Sequence, residues 1–450
     1  MQRIGLFAGL LLLCLAAHAC GAEELVTNPD FTAGEPAAPL AWQIWTSAVD
    51  STRCTIERGE EGLVVKSPGR PYAVGGVWQE VRSIQGGHAY AVRAIAKTAH
   101  VAAAYRSVLV RLTWLQDDKE LHPAGMYVRG TAAPDGTMQF QDVLVAPPEA
   151  NRAKVTLECK WLGDGTVCWT QASLQPTTQL PARKVKIGTV YLRPRNSTPE
   201  KNLALFCHQI DAAGKLQLDI VCLPEAITLV GTSKTGVQTA EQIPGPASRV
   251  LGDAAKRNRI WVVAGVYEKD ADVVYNTAVL FNREGEIAGK YRKTHLPREE
   301  WQQGVVPGSE YPVFETEFGK VAIQICYDWF FPEVDTLFGL KGAEIVFAPT
   351  WGTTFADQEG RVEGETVFRV RARDNGIYLV PSVYDGQSMV IDPLGRILVA
   401  NGGKEGVFWC EVDLNARESL WWVGNWRDIG PRDRMPETYG SLREGPVPPR

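Results

Sequence analysis

The chain has 450 residues, enough for two or three domains. Hydrophobic residues make up 45% and charged residues 22%, a globular composition rather than a disordered or fibrous one. The formal net charge is −5 and there is no polybasic run, so no nucleic-acid partner is expected.

At the N-terminus, Arg3 precedes the apolar run Ile4–Ala17, and Ala17-His18-Ala19 has the small-x-small form of a cleavage site. Residues 1–19 therefore read as a secretory signal peptide, too short to span a bilayer, and the protein as exported. Cys20 follows the cut directly, where a bacterial lipoprotein carries its lipid. Ala17 and His18 fit that signal poorly, so plain export is preferred and a lipid anchor through Cys20 is the alternative. Export gives the nine cysteines an oxidising setting. A hairpin with Gly163-Asp164 at its tip would make Cys159 and Cys168 a non-hydrogen-bonded pair, close enough for a disulfide. Two free buried thiols are an equal alternative. No Cys/His spacing suggests zinc, and no metal or cofactor is expected.

Residues 23–176 read as all-β. Alternating apolar runs at Val77–Val81, His88–Ala94, Val108–Leu112 and Ala153–Glu158 are separated by turn signals, which favours a β-sandwich. The opening Val26–Phe31 with Pro39-Leu40-Ala41-Trp42, and Trp78–Val81 followed by Gly86–Tyr90, resemble jelly-roll modules of the carbohydrate-binding type. That resemblance implies a carbohydrate ligand stacked on some of Trp42, Trp45, Trp78, Trp114, Trp161 and Trp169. The preferred reading of the same rings is core.

Residues 177–183 form a polar, Pro-containing linker. Beyond them, in a domain spanning 184–435, strands and helices alternate. Strands are expected at 185–192, 218–224, 261–267, 275–282, 319–325, 343–348 and 377–383. Helices are expected at 198–214, 246–257, 332–341 and 361–375. This is an α/β pattern. Residues 436–450 form a C-terminal tail. The wider stretch 415–450, rich in Trp, Arg and Pro, is expected to pack across a subunit partner.

Three strand ends in this domain carry chemistry. Leu218-Asp219-Ile220-Val221-Cys222-Leu223-Pro224-Glu225 ends in a carboxylate. Tyr291-Arg292-Lys293-Thr294-His295-Leu296-Pro297 places a lysine just after a strand. Val321–Cys326 ends in a thiol at a strand-to-helix corner, before Tyr327-Asp328-Trp329-Phe330-Phe331-Pro332-Glu333. A nucleophile, a proton shuttle and an oxyanion cation are the needs of C–N bond hydrolysis. Cys326 is the candidate nucleophile. Glu225, expected in an apolar cleft, is the candidate base. Lys293, with the backbone N–H after Cys326, is the candidate oxyanion donor.

Taken in order, these segments resemble the nitrilase superfamily, the carbon–nitrogen hydrolases, over roughly residues 184–435. Gly342–Val346 and Arg371–Asn375 belong to the same likeness. The resemblance implies a four-layer αββα sandwich preceded here by the all-β sandwich domain. It implies a second active-site glutamate between the Lys and Cys motifs. Glu300 is preferred for this by its spacing to Gly304, with Glu299 the alternative. It gives His295 no proton-transfer role. It also implies a homodimer or higher homo-oligomer through Pro332–Gly342.

The expected reaction is hydrolysis of a small-molecule amide or N-carbamoyl amine through a thioester acyl-enzyme. Nitrile hydrolysis by the same triad is the alternative. A glycoside hydrolase using Glu225 and Glu300 would leave Lys293 and Cys326 unexplained, and a catalytically dead carbohydrate-binding protein would have lost a triad residue. A membrane acyltransferase of the same superfamily is disfavoured, because no spanning segment follows the signal peptide. Tyr327, Trp329 and Trp351 are expected to line the substrate pocket. The stretch Tyr327–Phe331 has no Arg, unlike relatives that hold a substrate carboxylate, so neutral or amine-bearing substrates are preferred.

Overall fold

The computed structural model describes residues 23–121, 125–352, 363–420 and 423–442. The expected signal peptide and Cys20 lie outside them. The chain divides into two compact units, one running to Pro181 and resuming at Ser419, the other spanning Ala182–Glu418.

The first unit contains two six-stranded antiparallel sheets. One is centred on Val74–Val81, Val108–Gln116 and Arg152–Lys160; the other on Ala89–Ala99, Thr137–Val145 and Thr166–Thr177. Alternate residues of both sheets, such as Val77, Val110 and Leu157 against Val92, Phe140 and Leu174, share one hydrophobic cluster. This is the period-2 pattern of strands with one buried face. Trp42, Trp114 and Trp169 belong to that cluster, which removes them from any sugar-stacking platform.

Two expectations for this unit need correction. Cys159 and Cys168 are not hairpin partners, and both are free thiols. Trp161 turns into the left-handed region at φ 57°, and the chain leaves one sheet for the other. Cys159 pairs with Gly75 and Val108, whereas Cys168 pairs with Val64 and Lys97. The second correction concerns the C-terminal boundary. The described part of the tail packs on its own first unit rather than leaving a domain that ends at 435. Complementary charges hold it: Lys160 to Asp433 at 2.8 Å, Arg106 to Glu437 at 2.9 Å and Arg129 to Asp428 at 3.2 Å. The Arg432 guanidinium lies 3.9 Å from the Tyr127 ring centroid.

The second unit begins with β1 (Lys184–Tyr191), α1 (Pro199–Lys215), β2 (Ile220–Cys222), α2 (Pro246–Asn258), β3 (Trp261–Asp270), β4 (Val273–Phe281) and β5 (Ile287–Arg292). It continues with α3 (Arg298–Gln302), β6 (Val313–Glu315), β7 (Lys320–Ile323), α4 (Pro332–Leu340), β8 (Ile345–Pro349), α5 (Glu363–Asn375), β9 (Tyr378–Ser382), β10 (Met389–Ile391), β11 (Ile397–Ala400) and β12 (Gly406–Asp413). The sheets have orders β5-β4-β3-β2-β1-β12 and β6-β7-β8-β9-β10-β11. In each, three central strands are parallel and the outer ones antiparallel.

Alternation along the strands builds the layers. In β2, Ile220 and Cys222 face the second sheet, while Val221 faces α1 and α2. In β3, Trp261 and Val263 do the former, and Val262, Ala264 and Val266 the latter. The opposite sheet is covered by Val334 and Phe338 of α4 and by Phe368 and Ala372 of α5. The result is helices, sheet, sheet, helices, with strands buried on both faces and so apolar almost throughout. Local signals start the helices: Pro199 and Pro332 occupy first-turn positions, and the Thr198 hydroxyl accepts from Lys201 N–H at 3.3 Å. Among the described residues, no helix is long and apolar enough to cross a membrane.

Candidate active site

Glu225, Lys293 and Cys326 each follow a strand: Glu225 three residues after β2, Lys293 one after β5, Cys326 three after β7. Strand carboxyl ends are where α/β sheets gather functional groups. The turns at Cys326 and Glu225 are sharp. Cys326 has φ 42°, unfavourable for a residue with a Cβ, so the nucleophile corner is strained. The Glu225 turn is packed so tightly on β3 that a Cβ at Gly265 would lie 2.7 Å from Glu225 Cα. Only glycine permits that approach.

The buried Lys293 ammonium sits between two carboxylates, 2.9 Å from Glu225 Oε1 and 3.0 Å from Glu300 Oε2. Asn276, wholly buried on β4, donates to Glu225 Oε1 at 2.7 Å and to Glu300 Oε1 at 2.5 Å. Tyr267 Oη on β3 donates to Glu300 Oε1 at 2.9 Å. Tyr384 Oη donates to the backbone oxygen of Glu225 at 2.6 Å, securing the turn from behind. The cleft around Glu225 is therefore polar, not apolar as expected from its strand.

Burial alone would push the Lys293 ammonium down, but Glu225, the Cys326 sulfur and Glu300 hold it well above the usual lysine range. Glu300 is raised by burial, helped by repulsion from Glu225 and opposed by Lys293. The half-buried Cys326 thiol is pushed well up by burial and by the Glu225 charge. The Lys293 charge and the Trp351 backbone oppose this. At neutral pH the sulfur thus rests protonated.

Asp328 ties the lysine loop to the nucleophile turn. Its Oδ2 accepts from Tyr291 Oη at 2.8 Å and from Ile325 N at 3.0 Å. Its Oδ1 accepts from His295 N and Thr294 Oγ1, each at 3.0 Å. His295 Nδ1 is 2.9 Å from the same oxygen, and its ring stacks on Phe331 at 3.8 Å. The imidazole is thereby engaged in holding two loops together.

Glu300 joins the cluster, whereas Glu299 is exposed and 3.8 Å from Arg298. Trp351 contributes its backbone beside the thiol, and its ring meets Tyr384 at 5.4 Å. Tyr327 is half-buried against Phe330 and Phe331. Trp329, expected as a pocket wall, is buried in the core against Phe330 and Phe368, because the short turn after Cys326 points it back toward α5. The sequence reading missed Asn276 and Tyr267. The polar pair Asn276-Thr277 inside a strand apolar on both faces was the available signal for Asn276. Tyr267, at the end of an apolar strand, carried none. Among the described residues, no group of three or more His, Cys, Asp or Glu side chains forms a metal-binding cluster.

The sequence profile of the carbon-nitrogen hydrolase family matches residues 186–420. A probable nitrilase of Schizosaccharomyces pombe is 30% identical over 278 residues, covering 58% of this chain and 98% of that one. An omega-amidase of Mus musculus is 29% identical over 238 residues, covering 49% and 85%. A crystal structure of a branch 10 nitrilase-superfamily member from Saccharomyces cerevisiae shares 28% identity over 51% of this chain and 90% of that one, with a TM-score of 0.46. The chain belongs to the carbon-nitrogen hydrolase family, within the nitrilase superfamily. It is a hydrolase acting on C–N bonds.

Proposed function

We propose that this protein is an exported amidase that cleaves small amides or N-carbamoyl amines through a thioester on Cys326. The observation carrying this reading is the single cluster of Glu225, Lys293 and Glu300, with the Cys326 sulfur near enough to feel the Glu225 and Lys293 charges. Glu225 takes the thiol proton as Sγ bonds to the carbonyl carbon. Lys293 and the backbone N–H after Cys326 hold the oxyanion. The C–N bond breaks, and Glu225 passes its proton to the departing nitrogen. Glu225 then draws a proton from water, which attacks the thioester and frees the thiol and the acid.

Amides suit this site better than nitriles. Glu225 and Glu300 offer oxygens that accept hydrogen bonds, and an amide nitrogen bears hydrogens to donate whereas a nitrile nitrogen bears none. The absence of Arg from Tyr327–Phe331 supports neutral or amine-bearing substrates over free carboxylates. Tyr327 and the backbone of Trp351 are the nearby groups we assign to substrate contact.

We assign the first unit to the jelly-roll class of β-sandwich. Carbohydrate stacking is left to Trp45, Trp78 and Trp161, and two of these already carry cations: Lys154 over Trp78, and Lys160 and Arg106 over Trp161. A support role therefore fits this unit better than sugar capture. Exposed Phe330 and Leu340 flank α4 and suit a homo-oligomer interface through Pro332–Gly342.

The decisive test is intact mass spectrometry of the protein mixed with amides, carbamoyl amines and nitriles. An acyl adduct on Cys326 from amides is expected. Turnover by Cys326→Ala at the wild-type rate would overturn the thioester route.

A further inference from the structure

Asp335 lies in the first turn of α4 with no solvent exposure. Among the described residues neither of its carboxyl oxygens has a well-directed hydrogen-bond partner. Two other groups beside it share that deficit. Gln324, also without exposure, has neither its Nε2 nor its Oε1 satisfied, and the Arg371 Nε on α5 is buried and unsatisfied. Buried polar groups left incomplete cost free energy and call for a physical reason.

Their position supplies one. Gln324 lies two residues before Cys326, where its backbone N–H donates to Phe347 O at 3.0 Å. Asp335 stands on the helix that begins as the nucleophile turn, Cys326–Phe330, ends. The cluster thus draws on the segments just before and just after the strained residue.

We propose that Asp335 is a positioning residue for Cys326, acting through Gln324 and held by Arg371. This rests on Cys326 being the nucleophile. An ionised Asp335 takes the Arg371 charge and requires Gln324 to turn its NH₂ inward. A neutral Asp335 donates its own proton and requires Gln324 to present Oε1 instead. The two forms therefore demand opposite orientations of an amide whose backbone leads into the φ 42° corner. The charged groups facing Asp335 are Arg371 from α5 and Asp328 from the nucleophile turn; the segment that follows β7 contributes the neutral Gln324. Burial raises Asp335 to about 7, with Asp328 adding to the rise and Arg371 and Gln324 restraining it, so both forms are populated near neutrality. The ionised form is favoured by the Arg371 charge and is the active arrangement.

The test is a pH series on the full chain, from pH 5.5 to 9, reading kcat and KM on a primary amide. In parallel, the alkylation rate of Cys326 by iodoacetamide is followed by peptide mass mapping. Wild type should show a step in kcat and in alkylation rate near neutrality, with KM nearly constant. Asp335→Asn, which mimics the neutral form, should remove that step and hold both rates at the acid-side level. Arg371→Gln should move the step to higher pH, by about one unit, because the cation no longer favours ionisation. An Asp335→Asn protein that keeps the step, or an Arg371→Gln protein whose midpoint does not move, would overturn the proposal. If Asp335→Asn fails to fold, the Arg371→Gln midpoint decides alone. Should Cys326→Ala retain full turnover, the nucleophile assignment fails first, which the same mass mapping distinguishes.

Discussion

Cys326 is a weak nucleophile until its proton is taken, since burial and the Glu225 charge both favour the thiol. That makes the three groups interdependent. Cys326→Ala, Glu225→Gln and Lys293→Ala should each lower kcat by several orders of magnitude, and a double variant should cost little more than either single one. Lys293→Ala carries a stability cost as well, on the order of 3–5 kcal/mol, because two buried carboxylates lose their counter-ion. Calorimetry beside kinetics separates the two effects. Asn276 holds both glutamates in register from one amide. Asn276→Ala should lower kcat by about 100-fold, as expected for a small displacement of reacting groups, without abolishing the acyl-enzyme.

Strand β5 delivers Lys293, and its own anchoring is electrostatic. Glu268 on β3, almost fully buried, accepts from Arg292 Nε at 2.8 Å and from Thr277 Oγ1 at 2.9 Å, and pairs with Lys290. Burial alone would raise this carboxyl, but those hydrogen bonds outweigh it and bring it to about 2. A lowered folded-state value means stability is present above the ordinary glutamate value of 4.5 and lost as pH falls toward 2. Thermal unfolding should therefore show a fall in stability between about pH 4.5 and 2, on the order of 3 kcal/mol, that Glu268→Gln lacks. At pH 7 the same variant should be destabilised by a similar amount, through the cations it leaves unpaired. A pH profile unchanged by the substitution would contradict this.

Each unit has its own core. A protein of residues 182–418 alone should therefore fold cooperatively and hydrolyse small amides within about tenfold of the full chain. Loss of soluble protein on cutting at Pro181 and Ser419 would mean that the first unit completes the hydrolase instead. A cut at 435, by contrast, should destabilise the first unit, because it removes Glu437 from Arg106.

Much of the site was legible because its chemistry is local in the chain. An apolar run, a turn and then a Glu, Lys or Cys is a pattern of adjacent residues, and three such patterns lie in order. Strand and helix positions in the second unit followed for the same reason, since periodicity and Pro starts are short-range. What tertiary structure alone decided is pairwise and distant. Glu300 rather than Glu299 enters the cluster because the α3 turn meets Tyr267 and Asn276, 33 and 24 residues earlier. Trp329 goes to the core because α5 lies beneath it. Cys159 and Cys168 part because the chain changes sheets between them. The tail joins the first unit through ion pairs spanning some three hundred residues. Composition shows which groups are able to pair, but only the folded chain sets which of them come within reach.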